Sequence, residues 1–183
     1  FDVMQWVDDH HQQRIPLPQF EVMSGYEAFS ESLSWAIHGV YMARRALYEC
    51  YPYDDSCRAY SDDNTTRLHY YISREVRPCG GCYYYRQHEA SVTHKVGIRH
   101  FDYLRANESM RRQLIDLGVG DDVLRRYENQ RWLVLVDCWR FYFIHRQRMT
   151  PHDRRAARAE MKRVWKTIDT TTLEPRNKWK LGY

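Results

Sequence analysis

Tyr60-Ser61-Asp62-Asp63-Asn64-Thr65-Thr66-Arg67-Leu68-His69-Tyr70-Tyr71 and, soon after it, Cys82-Tyr83-Tyr84-Tyr85-Arg86-Gln87-His88-Glu89-Ala90-Ser91-Val92-Thr93-His94 carry the densest chemistry of the chain. The first run reads as a helix start. Ser61 or Asp62 can cap it by accepting from orphan first-turn N–H groups. Adjacent carboxylates there suit the positive end of the helix dipole. Leu68, Tyr71 and Ile72 then recur at helical spacing, which predicts a helix from about Asp62 to Arg74. The second run is a short aromatic strand that ends in a polar loop.

An acidic pair opening a helix, a short turn and a Tyr-Tyr-Arg-x-x-x-x-Ser-x-Thr strand and loop together resemble the second half of family 2 glycosyltransferases of the GT-A fold. Thr66 sets the register. Asp62 and Asp63 match the family's acidic positions, while Ser61 stands where the family has a Glu. Upstream, Arg44-Arg45-Ala46-Leu47 is similar to the family's R-R-x-L, with Trp35 further ahead than usual. The resemblance covers roughly residues 1–115.

It implies inverting transfer of a sugar from a nucleotide-sugar to a saccharide or lipid-linked acceptor, in bacterial polysaccharide biosynthesis. Asp62 is then the base that takes the acceptor's proton, with Asp63 orienting acceptor hydroxyls; a register shift of one residue exchanges their roles. Arg86, His88, Ser91 and His94 would face the donor diphosphate or the acceptor, and cations there would offset leaving-group charge. Trp35 and His38 would line the acceptor site. The family also uses Mg or Mn held by a D-x-D, and this chain has no alternating Asp pair. The metal ligands and the nucleotide floor are therefore expected upstream of Phe1, and the chain alone is expected to be inactive.

Away from these motifs, Phe1 to Val7 reads as a strand. Asp8-Asp9-His10-His11 starts a polar loop that Pro16 and Pro18 carry on, and its acid and imidazole groups read as a solvated turn, since adjacent loop residues cannot all face one metal ion. A helix is expected over Ser24–Ser34, a strand over Trp35–Met42, and a helical turn or two over Arg44–Cys50. Then Ile98, Phe101, Leu104, Met110, Leu114 and Leu117 follow helical spacing until Gly118 and Gly120 stop the helix. Asp121-Asp122 opens another, which runs to about Arg148 and contains the apolar run Trp132–Ile144. That run is too short to span a bilayer. Thr150-Pro151-His152-Asp153 starts a third helix, with a cap, Pro at the first position and an acid. The last stretch, from Thr170 to Tyr183, has little periodicity and is expected to be extended or poorly ordered.

The fold class that follows is α+β, predominantly helical, with a small incomplete sheet followed by three long C-terminal helices. The organisation is 1–94 for the acceptor-side part, 95–169 for a helical extension and 170–183 for a tail. At 183 residues the chain is long enough for a sizeable core. Its five cysteines are odd in number and not spaced as a secreted framework, which predicts reduced thiols in a cytoplasmic protein, at the inner face of the membrane if a peripheral contact exists. Cys79-Gly80-Gly81-Cys82 reads as a hairpin turn. A zinc site with Cys50 and Cys57 is the alternative. A net charge of +4, without aromatics interleaved among the basic positions, argues against nucleic acid. The competing reading is a helical protein- or membrane-interaction module, which predicts a solvent-facing stripe of Trp132, Val136, Trp139 and Phe143.

Overall fold

A computed structural model describes residues 2–16, 18–37, 39–87 and 95–181. It is an α+β protein, and its described residues divide into two compact units: 1–52 with 65–95, and 53–64 with 96–183.

In the first unit β1 (Asp2–Asp8) and β2 (His11–Ile15) form an antiparallel hairpin, and β5 (Cys82–Arg86) pairs parallel to β1. The polar loop expected from Asp8 through Pro18 is cut short by β2: only its start is the bend of this hairpin, with Asp8 Oδ1 accepting from the N–H groups of His10 and His11 at 2.9 Å. Two further short strands, β3 (Met23–Ser24) and β4 (Glu75–Val76), pair antiparallel.

Helix α1 (Gly25–Leu33) starts with a reciprocal cap: Ser24 Oγ accepts from Glu27 N, and the Glu27 carboxylate accepts from Ser24 N. Gly25 is required there, because a side chain at this position would collide with the carbonyl oxygens of Tyr70 and Ser73. Helix α2 (Arg45–Cys50) follows. The strand expected over Trp35–Met42 does not form; this stretch is irregular and finds no strand partner among the described residues.

Helix α3 (Asp62–Ile72) spans the boundary between the units in sequence. Its residues Asn64 to Tyr70 are all buried, although Asn64, Thr65, Thr66, Arg67 and His69 are polar.

The second unit contains the three long helices, α4 (Asp102–Asp116), α5 (Asp121–His145) and α6 (Pro151–Trp165). Thr150 caps α6 by accepting from Asp153 N, with Pro151 in the first turn. Leu104, Trp132, Leu135, Ala157, Met161 and Val164 make the core between them. Cys138 joins it, and burial pushes its thiol up to about 12. Among the described residues no helix is long and apolar enough to cross a membrane.

Inside α5 sits a polar knot. Arg131 donates twice to Glu128, at 2.8 and 3.0 Å, and also to Thr167 Oγ1. Glu128 further accepts from Asp169 N. Burial of such a pair is offset by these bonds, although the buried Arg131 Nε has no partner among the described residues.

The tail differs from expectation. It folds back as α7 (Pro175–Lys178) and one more helical turn, Trp179–Leu181. Asn129 holds it there: Oδ1 accepts from Glu174 N and Asn177 Nδ2, and Nδ2 donates to the carbonyls of Arg125 and Thr172. Trp132 Nε1 donates to Asn177 O at 2.7 Å. Side chain–backbone bonds of this kind leave no trace in hydrophobic periodicity.

Asn129→Ala should therefore lower stability by about 1–3 kcal/mol, the usual cost of orphaning buried donors. Limited proteolysis should then cut beyond Thr170 before the helices unfold.

His100 supplies a second measurement. It stacks on Phe141 at 3.6 Å, and its pKa is lowered to about 4 by burial, then by His145, against the opposing pull of Asp137. The unfolded imidazole titrates near ~6.5, so the unfolded chain binds the extra proton first and stability falls as pH drops from about 6.5 to about 4. Discounted for partial exposure, the loss should be about 1–2 kcal/mol in denaturation curves, and His100→Phe should remove it.

Candidate active site

Two places in the chain concentrate chemistry, one in each unit.

The first is the head of α3. Tyr60 precedes it at φ 71, a left-handed conformation costly for a bulky residue, and its ring stacks on Tyr103 at 3.4 Å. Ser61 is buried, and its hydroxyl donates to the Cys57 carbonyl. Asp62 and Asp63 form the first turn, Asp62 exposed and Asp63 half-buried. The pKa of Tyr60 is raised by burial first and then by its neighbours Cys138, Asp102, Asp63 and Asp62. Tyr103 is pushed up by burial and then by Tyr60 and Asp63. The acidic pair thus stands beside two phenols that keep their protons.

Behind the pair, Asn64 Nδ2 donates to Asp54 Oδ2 at 2.6 Å and to the Ala106 carbonyl at 2.8 Å. Gln113 Nε2 reaches the same Asp54 oxygen, and Ser56 N donates to the other. Burial raises the Asp54 pKa, but the hydrogen bonds from Asn64 and Ser56 outweigh it and hold the carboxyl below the usual range. Asp54 therefore works as an anchor for the first turn of α3. Its sequence context, between Pro52 and Ser56, signals only a loop.

The second place is a cavity of about 900 Å³ in the first unit, lined by Tyr41, Arg44, His69, Tyr70, Arg74 and Glu75 among others. His69 is buried at its edge. Its Nε2 lies 2.7 Å from the Tyr51 carbonyl, which can only accept, so Nε2 carries the proton. Nδ1 is then an acceptor, and it lies 2.6 Å from Tyr41 Oη, which must donate. The Tyr70 hydroxyl is pushed up to about 12 by burial. Glu75 is held low by the hydrogen bond from Arg77 first, and the charges of Arg74 and Arg44 add to it. Tyr41 and His69 are 28 residues apart, and no local motif announces their pairing.

The remaining expected site residues that the structure describes, Arg86 and Trp35, belong to the first unit. Arg86, exposed on β5, lays its guanidinium 5.5 Å from the Trp6 ring centroid. Trp35 is 48% exposed at φ 61, with the buried Arg67 guanidinium 5.3 Å from its ring centroid. The indole is thus partly exposed and within cation–π range of Arg67. His38, His88, Ser91 and His94 lie outside the described residues. Neither the acidic pair nor Arg86 nor Trp35 lines the 900 Å³ cavity.

Acid pairs are adjacent rather than alternating, and among the described residues no group of three or more His, Cys, Asp or Glu is placed to hold an ion. Cys79 and Cys82 are exposed and outside any disulfide. No protein-family model, curated protein or solved structure matches the chain.

Tyr41→Phe should cost about 1–3 kcal/mol in chemical denaturation, because it strands the buried His69 Nδ1. Long-range ¹H–¹⁵N NMR of the unaltered chain should show His69 as the Nε2–H tautomer; an Nδ1–H signal would reverse the assigned donor.

Proposed function

We propose that this chain is the acceptor-side part of an inverting family 2 glycosyltransferase of the GT-A fold. In this reading it helps move a sugar from a nucleotide-sugar donor onto a saccharide or lipid-linked acceptor in bacterial polysaccharide assembly. The observation that carries the proposal is the placement of Asp62. It is an exposed carboxylate at the head of a helix whose next turns are buried and hydrogen-bonded. A base on such a support is held in position before substrate arrives, which is what proton abstraction in a transition state needs.

The chemistry is a single displacement. The acceptor hydroxyl attacks the anomeric carbon and its proton passes to the Asp62 carboxylate. The new C–O bond forms as the bond to the diphosphate breaks, and the diphosphate leaves with the electron pair. Asp63 orients the acceptor hydroxyl, and the Tyr60–Tyr103 stack offers aromatic surface and hydroxyls beside the pair. Arg86, with His88, Ser91 and His94, would balance charge on the leaving group. Trp35 offers its partly exposed indole to a sugar ring.

The sheet agrees with this reading. A parallel pair normally lies buried on both faces, yet every residue of β5 is exposed among the described residues. A further layer, carrying the nucleotide site and the Mg or Mn ligands, would cover it.

The test is a transfer assay on the polypeptide that joins this chain to its donor-binding half. Asp62→Asn is expected to lower kcat by ~10²–10⁴-fold with little change in acceptor KM. Asp63→Asn should act mainly on acceptor KM. Full turnover by the Asp62→Asn protein would overturn the proposal.

A further inference from the structure

The corner where α5 ends and α6 begins holds four arginines, Arg146, Arg154, Arg155 and Arg158, around a concavity of about 440 Å³ that Tyr142 and Pro151 complete. Among the described residues none of the four forms an ion pair, whereas toward the other end of α6 two arginines are paired with acids. There Arg163 is held by Glu108 at 2.6 Å and Glu160 at 2.8 Å, and Arg105 lies 3.5 Å from Glu160. Asp153, the other acid of α6, lies 3.6 Å from His152. Arg154 and Arg155 also stand near the helix start, where the backbone dipole favours anions over cations. This corner is therefore a concentration of uncompensated positive charge.

Apolar surface adjoins it. Phe143 and Ile144, on the last turn of α5, are 56% and 61% exposed. Trp139 stacks on Phe143 at 5.8 Å, and the Arg146 guanidinium lies 5.5 Å from the Phe143 ring centroid. The basic and apolar parts thus meet at Arg146. The stripe expected from sequence is not what produces this surface: Trp132 is in the core, Val136 and Trp139 pack against it, and Phe143 alone of the four is exposed.

We propose that this corner docks on an anionic lipid surface, with headgroup phosphates in the arginine concavity and Phe143 and Ile144 at the acyl boundary. The occupant follows from matching both halves of the surface. A soluble phosphate satisfies the arginines but leaves Phe143 and Ile144 in water, and a nucleic acid offers Ile144 nothing to stack on. A lipid interface answers the charge with phosphate and the aromatic and aliphatic side chains with hydrocarbon. The proposal does not rest on the glycosyl-transfer reading.

Co-sedimentation of the full chain with vesicles tests it. Binding is expected to vesicles of phosphatidylcholine mixed with phosphatidylglycerol, to fall at high salt, and to be absent from phosphatidylcholine alone. Each arginine should contribute about fivefold, so Arg154→Ala with Arg158→Ala should weaken binding roughly 25-fold. Phe143→Ser with Ile144→Ser should weaken it roughly tenfold. Circular dichroism should show both variants folded, since the four side chains are solvent-facing or half-buried. Equal binding to neutral vesicles, or retention by both variants, would overturn the proposal. So would binding of inorganic pyrophosphate without vesicle binding, which marks a soluble-anion site, or self-association through Phe143 in place of vesicle binding.

Discussion

A polar atom withdrawn from water loses free energy of solvation unless it finds a partner, and this pressure shapes both units, with Asn64 Oδ1 and Arg131 Nε among the exceptions. Helix α3 shows it most plainly. From Asn64 to Tyr70 every residue is buried, and most are polar. Such a helix buries Leu68 and Tyr70 but is also placed by directed bonds. Asn64 is tied to Asp54 and Ala106, and His69 to Tyr41 and Tyr51. Directed bonds fix rotation about the helix axis more tightly than dispersion does, so the acidic first turn inherits a defined orientation.

The same requirement shapes the helical unit differently. There the apolar positions pack the helices, and a small polar set decides how the chain ends. Glu128 and Arg131 tie α5 to the segment after α6, and Asn129 and Trp132 tie it to the last turns. Removing one partner from such a set costs more than the bond itself contributes, because the other is left dry.

How far the sequence could be read follows from this division. The long helices were legible because Leu104, Met110 and Leu114 repeat at helical spacing, Gly118 and Gly120 punctuate them, and Thr150-Pro151 caps the last. The start of α3 was legible from its acidic pair, and β5 from its aromatic run. The strand β2 was not, because His11 to Arg14 show no alternation and join the sheet through backbone pairing alone. Trp35 to Met42 looked strand-like from composition, but a strand needs a neighbour and none is present among the described residues. Of the candidate site, Asp62 and Asp63 were readable because neighbouring residues share one helix turn. Asp54 with Gln113, and Tyr41 with His69, were not, since each pair is assembled by folding across a long loop of chain.

Strand β5 sets a practical condition on handling the molecule. Its three tyrosines, Tyr83, Tyr84 and Tyr85, are 42%, 58% and 41% exposed on an outer strand of the sheet. Among the described residues β5 is an edge strand, and an edge strand with aromatic side chains is a template for another copy of itself. Colloidal behaviour, rather than the free energy of unfolding, will set how concentrated a solution of this chain alone can be made. An additive that competes for main-chain hydrogen bonds, or a charged residue in place of Tyr84, would extend that range.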